Sequence, residues 1–345
     1  MAVTLGDVAR HAGVSLATAS RALNGSARSV TEELSAKVRA SADVLGYLPN
    51  APAQALARST GATVGVLLHD VADPYFGAIA RGVGDAAARE GLLSMVTSTD
   101  GDPQRELQAI RMLHAQRVRA IILAGSAYNE ASVVRQLDDA LSAYQEQGGR
   151  VTAISDHGPW YDTVDVENRG GAASLTRELA RLGHRRFAVI TGPERMRVAE
   201  DRLAGVLDGL ADFDLTLPET SLQRTEFTRE GGRAAMARIL DVTRASGAPR
   251  PTAVIALSDI CAAGVLAELR ERSISVPGEI SVAGFDDIPL ATDLAPALST
   301  VRLPLGRMGA DAVRLALAAP SREPDRVHAF AEVVLRASTA APAED

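Results

Sequence analysis

The sequence predicts an α/β protein in two parts, a small all-helical head followed by a larger body of two doubly wound units. Two observations carry this expectation. Within Val3–Asn24 apolar residues recur at helical spacing on either side of a glycine. From residue 62 onward, short apolar runs of strand length alternate with helical segments, and the series occurs twice. Alternation of this kind builds a parallel sheet covered by helices on both faces.

In the head, Leu5, Val8, Ala9 and Ala12 fall at i, i+3, i+4 and i+7, one apolar face of a first helix. Gly13 ends it, because glycine tolerates the left-handed backbone of a helix C-terminus. Val14 is again apolar, Ser15 can cap a second helix through its hydroxyl, and Ala19 and Leu23 point inward with Val14. The opposite face shows Leu16, Ala17, Ser20 and Arg21, with Thr18 beside them. A helix–turn–helix lays its second helix in the major groove of DNA, and side chains this small allow close approach. Arg21 can bond a guanine edge through two donors. Thr18, Ser20 and Asn24 are short donors suited to phosphate oxygens, which set register without reading bases. The same spacing also fits an ordinary helical hairpin in a larger core.

Asn24-Gly25-Ser26 is turn chemistry. Thr31 is placed to cap a third helix with Leu34, Val38 and Leu45 inward, ending at Gly46. Tyr47-Leu48-Pro49-Asn50 then breaks the chain, and Asn50 can cap a short helix over 51–58, with Pro52 tolerated in its first turn. So short a helix is not stable alone in water, which predicts an element ordered only when something holds it.

In the body, ATVGVLL, LLSMVTS, RAIILAG and VTAIS read as strands, separated by helices starting near Tyr75, Pro103 and Ala131. RFAVITG, AVIALSD and ISVAGFD continue the series, with helices around 170–182, 199–211, 228–241 and 260–272. A helix at 306–319 and a strand near 327–336 close the chain. Two lobes with a cleft between them, as in periplasmic binding proteins, are the architecture that follows.

Composition narrows the function. The net charge is −7, yet residues 1–60 hold six basic against four acidic side chains, so the acidity lies in the body. A slightly basic head on an acidic body suits a DNA-binding module joined to a sensor. No apolar run approaches a membrane span, and the N-terminus lacks the basic and apolar regions of a secretory signal. The single cysteine, Cys261, allows no internal disulfide, and a cytoplasmic protein is expected. His157, His184 and His328 stand alone without metal-ligand spacing. No nucleophile triad, phosphate loop or metal signature is present, so neither cofactor nor metal is expected, and catalysis is not.

The stretch VTLGDVARHAGVSLATASRALNG, followed by VLGYLPNAPAQALA at 44–57, resembles the DNA-binding head of the LacI/GalR family of bacterial transcription regulators. The resemblance continues through nearly all of the 345 residues. It implies a helix–turn–helix domain over 1–48, a hinge helix and linker over 49–60, and an effector-binding and dimerisation domain over 61–340. The lobes would be about 61–157 plus 288–322 and about 158–287 plus 323–340. It further implies a homodimer on a palindromic operator, contacted by Thr4, Ser15, Leu16, Ala17, Thr18, Ser20, Arg21, Asn24, Asn50, Ala53 and Leu56. Leu56 matches the side chain that wedges between base pairs in the minor groove. Pro52 and Gln54 depart from the family's usual residues. The tail STAAPAED has no heptad repeat, so no tetramer-forming coiled coil is expected.

Ligands of open α/β sheets bind beyond the carboxyl ends of strands. Those ends carry Asp73-Pro74-Tyr75-Phe76, Thr97, Thr99, Asp156, the stretch 194–202, Phe227, Ser258-Asp259 and Asp286-Asp287. Carboxylates and one arginine can bind pairs of hydroxyls, while Tyr75, Phe76, Trp160 and Phe227 can stack on an apolar sugar face. A neutral carbohydrate fits this set better than an anion. The resemblance implies effector contacts from Asp73, Tyr75, Phe76, Asp156, Met196, Val198, Arg202, Phe227, Asp259 and Asp286. Met196 and Val198 replace the polar contacts of purine-sensing members. The expected function is a repressor controlled by a sugar in the cleft. The alternatives are a solute-binding protein with the same body, a sugar-processing enzyme using acids such as Asp286 and Asp287, and a regulator answering to a protein partner. The second is disfavoured because neighbouring acids on one strand end point apart.

Overall fold

The structure, a computed structural model, describes residues 3–24, 30–47 and 61–343. Asn50, Ala53 and Leu56, with the short helix expected over 51–58, lie outside the described residues, as does the side chain of Asn24. The chain divides into two units, Met1–Ala62 and Thr63–Asp345, each taken by itself below.

The head holds α1 (Leu5–Ala12), α2 (Leu16–Asn24) and α3 (Glu32–Leu45). Thr4 and Asp7 form a reciprocal cap at the start of α1, and Gly13 ends it at φ 65°. The Ser15 hydroxyl accepts from the Thr18 amide at 3.1 Å, the cap expected for α2. Val8, Ala9 and Ala12 of α1 meet Ala19 of α2 and Val38 and Ala42 of α3 in one small core. The third helix is turned from its expected phase. Leu34 is 37% exposed, and Ser35 and Ser41 take inner positions beside Val38 and Ala42. The core of alanines leaves room for a serine, and Ser41 satisfies its hydroxyl on the Lys37 carbonyl at 2.9 Å. Thr31 precedes α3, but its hydroxyl makes no capping bond.

The second unit contains two parallel sheets. The larger runs in the order β11 (Arg326–Ala329), β5 (Asp162–Val166), β4 (Arg150–Ile154), β3 (Ala120–Leu123), β1 (Thr63–Leu68), β2 (Leu93–Ser98). The smaller runs β7 (Leu222–Arg224), β6 (Phe187–Thr191), β8 (Ala253–Ala256), β9 (Ser281–Ala283). Antiparallel strands β10 (Thr300–Arg302) and β12 (Glu332–Val334) form a third pairing. Apolar side chains fill both faces of the sheets, as parallel strands under helices require.

Strand β5 corrects the expected lobe boundary. Its sequence, DTVDV, alternates polar and apolar rather than forming an apolar run. It nevertheless pairs with β4, Ala153 opposite Thr163, and belongs to the first lobe, as does β11. Thr163 is fully buried because its hydroxyl bonds the Tyr161 carbonyl at 2.7 Å. Residues around Ala291 and Leu298 pack in the core of the second sheet, so the segment beginning at 288 starts in the second lobe rather than the first. Helix Leu305–Leu317 does lie on the first sheet, against helix Pro74–Arg89. The two helices approach so closely at Gly82 that any Cβ there would collide with the Gly306 carbonyl.

Candidate functional site

In the head, α2 turns Leu16 (56% exposed), Ala17 and Arg21 outward, with Thr18 and Ser20 half-buried. The Arg21 Nε donates to the Ala17 carbonyl at 3.0 Å, folding the side chain along its own helix. The Ser15 and Thr18 hydroxyls lie 2.8 Å apart. Thr4, a predicted DNA contact, also donates its hydroxyl to Asp7 at 2.7 Å as part of the α1 cap. An outward face of small side chains and one arginine on the second helix of this motif is a surface shaped for the major groove.

In the second unit, a cavity of about 340 Å³ lies where the strand ends of the two sheets face each other. Asp73, Tyr75 and Phe76 line it from the first lobe, and Met196, Val198, Arg202, Phe227 and Asp286 from the second. Local structure explains their placement. Asp73 caps helix Pro74–Arg89, its carboxylate accepting from the Tyr75 amide at 2.9 Å, with proline at the first helical position. The Tyr75 and Phe76 rings meet edge to face at 4.9 Å. Phe227 occupies space that exists only because Gly192 has no Cβ.

Arg202 is the most heavily bonded group in the wall. Its Nε donates to Asn168 at 2.9 Å, one terminal nitrogen to the Leu257 carbonyl at 2.8 Å, and the other to Asp286 at 2.8 Å. Its guanidinium carbon sits 3.9 Å over the Phe285 ring. Burial pushes the Asp286 carboxyl above the usual range, against the pull of Arg202. Asp286 has φ 116° and Asp287 φ 53°, left-handed backbone that non-glycine residues rarely adopt. The turn aims the two acids apart, Asp286 at Arg202 and Asp287 at Arg302 and Arg336. They form no acid/base couple.

Two predicted contacts do not reach the cavity. Asp156 pairs with Arg197 at 2.8 Å and accepts from the Gly158 amide. Asp259 is buried behind the wall, taking the Thr300 hydroxyl at 2.6 Å and the Ile288 amide at 2.9 Å, and thereby anchors the turn that carries Asp286. Thr97 and Thr99 do not line the cavity either, and Trp160 is 69% exposed elsewhere on the surface. His184 is a buried structural histidine bonded to Thr252 and the Ala340 carbonyl.

The structure adds lining residues that sequence reading missed: His69, Asp70, Asp100, Ser126 and Glu226 among them. His69 and Asp70 directly follow β1, so the strand-end rule would have found them one turn earlier than Asp73. Arg195 is held by Glu226 through two bonds of 3.0 and 2.9 Å, and Asp100 pairs with Arg105. At the mouth, the two lobes touch directly. Tyr128 and Met196 form an antiparallel bridge, and the Asn129 amide donates to the Arg195 carbonyl at 3.0 Å. The Val198 amide donates to the Ser126 hydroxyl at 3.1 Å.

Comparison with known proteins places these features in context. Residues 4–50 match the family described as bacterial regulatory proteins, lacI family, and residues 176–339 match a periplasmic binding protein-like domain. The transcriptional regulator GalR of Escherichia coli (strain K12) is 35% identical over 323 residues, 93% of this chain and 90% of that protein. A solved complex of the transcriptional regulator CelR with cellobiose is 28% identical, with a TM-score of 0.70 over 97% of this chain and 99% of that one. The lac repressor dimer bound to operator and the anti-inducer ONPF has a TM-score of 0.83 at 24% identity, over 99% of this chain and all of that one, and so shares the fold.

Proposed function

The chain belongs to the LacI/GalR family of bacterial transcription regulators and is a DNA-binding regulator, and from that premise we propose that it is a homodimeric repressor released or engaged by a neutral sugar. One observation carries the reading: the cavity is walled by side chains from both lobes, Tyr75 and Phe76 on one side and Arg202 and Phe227 on the other. A ligand there contacts both lobes at once, so it favours one relative arrangement of them over another, and only such differential contact can shift an equilibrium.

The chemistry of the wall supports an uncharged ligand. Its arginines are already matched, Arg195 by Glu226 and Arg202 by Asp286, and Asp70 and Asp73 add further negative charge. An anionic ligand would meet repulsion, whereas hydroxyls can bond carboxylates and stack their apolar face on Tyr75, Phe76 or Phe227. The related CelR structure holds cellobiose, which agrees with a carbohydrate. Effector contacts are assigned to Asp73, Tyr75, Phe76, Met196, Val198, Arg202, Phe227 and Asp286.

Dimerisation is supported by β2. It is an edge strand, and it exposes Leu93 (73%) and Met95 (43%) on one face and Val96 (40%) on the other. An open apolar edge of this kind invites pairing with a second copy. Two heads would then read two half-sites of a palindrome, which places the protein with the DNA in the cytoplasm. The experiment is a titration of sugar with and without operator. Coupling is reciprocal, so operator must change sugar affinity by the factor by which sugar changes operator affinity. A sugar affinity unaltered by operator would refute allosteric control.

A further inference from the structure

Among the described residues, Trp160 (69% exposed) and Phe330 (74%) are the phenylalanine, tyrosine and tryptophan side chains that stand exposed. They lie at opposite ends of one open strand. That strand is β11, the edge of the first sheet farthest from β2, bonded on one side to β5. The Asp325 and Ala329 carbonyls accept from the Thr163 and Glu167 amides at 2.8 and 3.1 Å. By the alternation of a strand, Arg326 and His328 therefore turn their backbone groups to the open side. Phe330 follows the strand directly. Trp160 stands by its start, where it borders a groove of about 270 Å³ with Gln145, Arg150, Arg322 and Pro324. The groove has a fixed floor, because the Asp162 carboxylate accepts from Arg150 at 2.7 Å and from the Asp325 amide at 2.9 Å.

An unpaired strand edge with aromatic groups at both ends is a template for another strand. We propose that the β11 edge joins two copies of this chain: their β11 strands pair antiparallel about a two-fold axis, and each seats its Phe330 in the Trp160 groove of the other. The register follows from the backbone groups that face outward. Arg326 and His328 carry them, so the strands exchange bonds with Arg326 opposite the partner's His328. Pairing Arg326 with the partner's Arg326 would set two like charges directly opposite, which is unfavourable. The favoured register places Phe330 opposite the partner's Pro324, in the wall of the groove, and carries Arg322 toward the partner's Glu332. Arg322 makes no ion pair among the described residues, and the Glu332 side chain is 67% exposed. Each contact then occurs twice, as two-fold symmetry requires, and an aromatic side chain in a polar-rimmed pocket is the kind of anchor that dominates interface energy. Because β11 and β2 are opposite edges of one sheet, this contact adds to the β2 contact without competing with it.

The test is sedimentation velocity of the full chain over a range of concentrations, read in parallel with the emission of Trp160, the one tryptophan in the sequence. Wild type is expected to assemble in two concentration-dependent steps. The β11 step should shift Trp160 emission to the blue and shield it from iodide. Phe330→Asp should raise the dissociation constant of that step about tenfold or more and leave the emission unshifted, although Phe330 lies at the far end of the strand from Trp160 in its own chain. Leu93→Glu combined with Met95→Glu should weaken the other step and spare this one, so the two contacts fail separately. Arg322→Glu should weaken the β11 step, and adding Glu332→Arg should recover part of it, a rescue that damage to folding would not give. A wild type that shows no second step, a Phe330→Asp chain that assembles as wild type does, or a Trp160 emission indifferent to assembly overturns the proposal.

Discussion

Arg202 and Asp286 stand 2.8 Å apart in the cavity wall, their side chains 4% and 6% exposed, although 84 residues separate them in the chain. Arg202 comes from a helix of the second lobe, and Asp286 from a strained turn after β9 that Asp259 anchors from behind. The pair is both part of the wall and part of what holds it in shape.

Arg202→Ala should therefore do more than weaken ligand binding. It strands the Asp286 carboxylate, the Asn168 side-chain oxygen and the Leu257 carbonyl in the interior. Breaking one partner of a buried pair costs about 3–5 kcal/mol, to be read from urea denaturation. The companion Asp286→Asn keeps a group able to accept from Arg202 and should lose less. Equal midpoints for wild type and Arg202→Ala would show that the network does not support the fold.

Arg21→Ala should relax operator preference at one base pair by about 1–3 kcal/mol, while affinity for unrelated duplex changes little. The Arg21 side chain folds on Ala17 in this structure and must swing away to reach a base. Gel shifts on a library of single-base operator variants measure the effect. A preference profile identical to that of wild type would mean that Arg21 reads no base.

Glu106 gives a pH dependence whose sign can be worked out. It is 6% exposed, accepts from the Tyr128 hydroxyl at 2.9 Å, and burial raises its pKa from 4.5 to about 7. Between those values the folded chain keeps a proton that the unfolded chain has released. Stability from this group is thus fully present below about pH 4.5, falls as pH rises through 7, and is flat above it. Glu106→Gln removes the titration. The stability of wild type minus that of Glu106→Gln should fall by about 3 kcal/mol across the window. A difference independent of pH would place the Glu106 pKa at its ordinary value.

Leu93→Glu combined with Met95→Glu puts like charges on an edge where two copies are expected to meet. The dissociation constant of the dimer should rise at least tenfold in sedimentation, with the helical content unchanged. A dimer of wild-type affinity would locate the interface elsewhere.

Much of this was legible in the chain itself. The head's two helices follow from Val8, Ala9, Ala12 and Ala19 at helical spacing, because each position is decided by its near neighbours. Tyr75, Phe76, Arg202 and Asp286 were found because strand ends in an α/β sheet point at one place. Other residues show the limit. Asp259 and Asp286 are both acids after a strand, yet one faces the cavity and the other turns away to Thr300, 41 residues distant. Leu34 follows the helical period of α3 but loses the inner position to Ser35, since only the alanine-lined partner helices determine which phase packs.

By itself, then, the sequence determined which segments are helices and strands, the two-part α/β architecture and the family, all properties carried by short-range periodicity and motif. Only the tertiary structure decided that DTVDV completes the first sheet, that Asp156 and Asp259 stand outside the cavity, and that His69 lines it. Each of these depends on bonds between residues far apart in the chain, and the distance in sequence conceals which polar group will find its partner there.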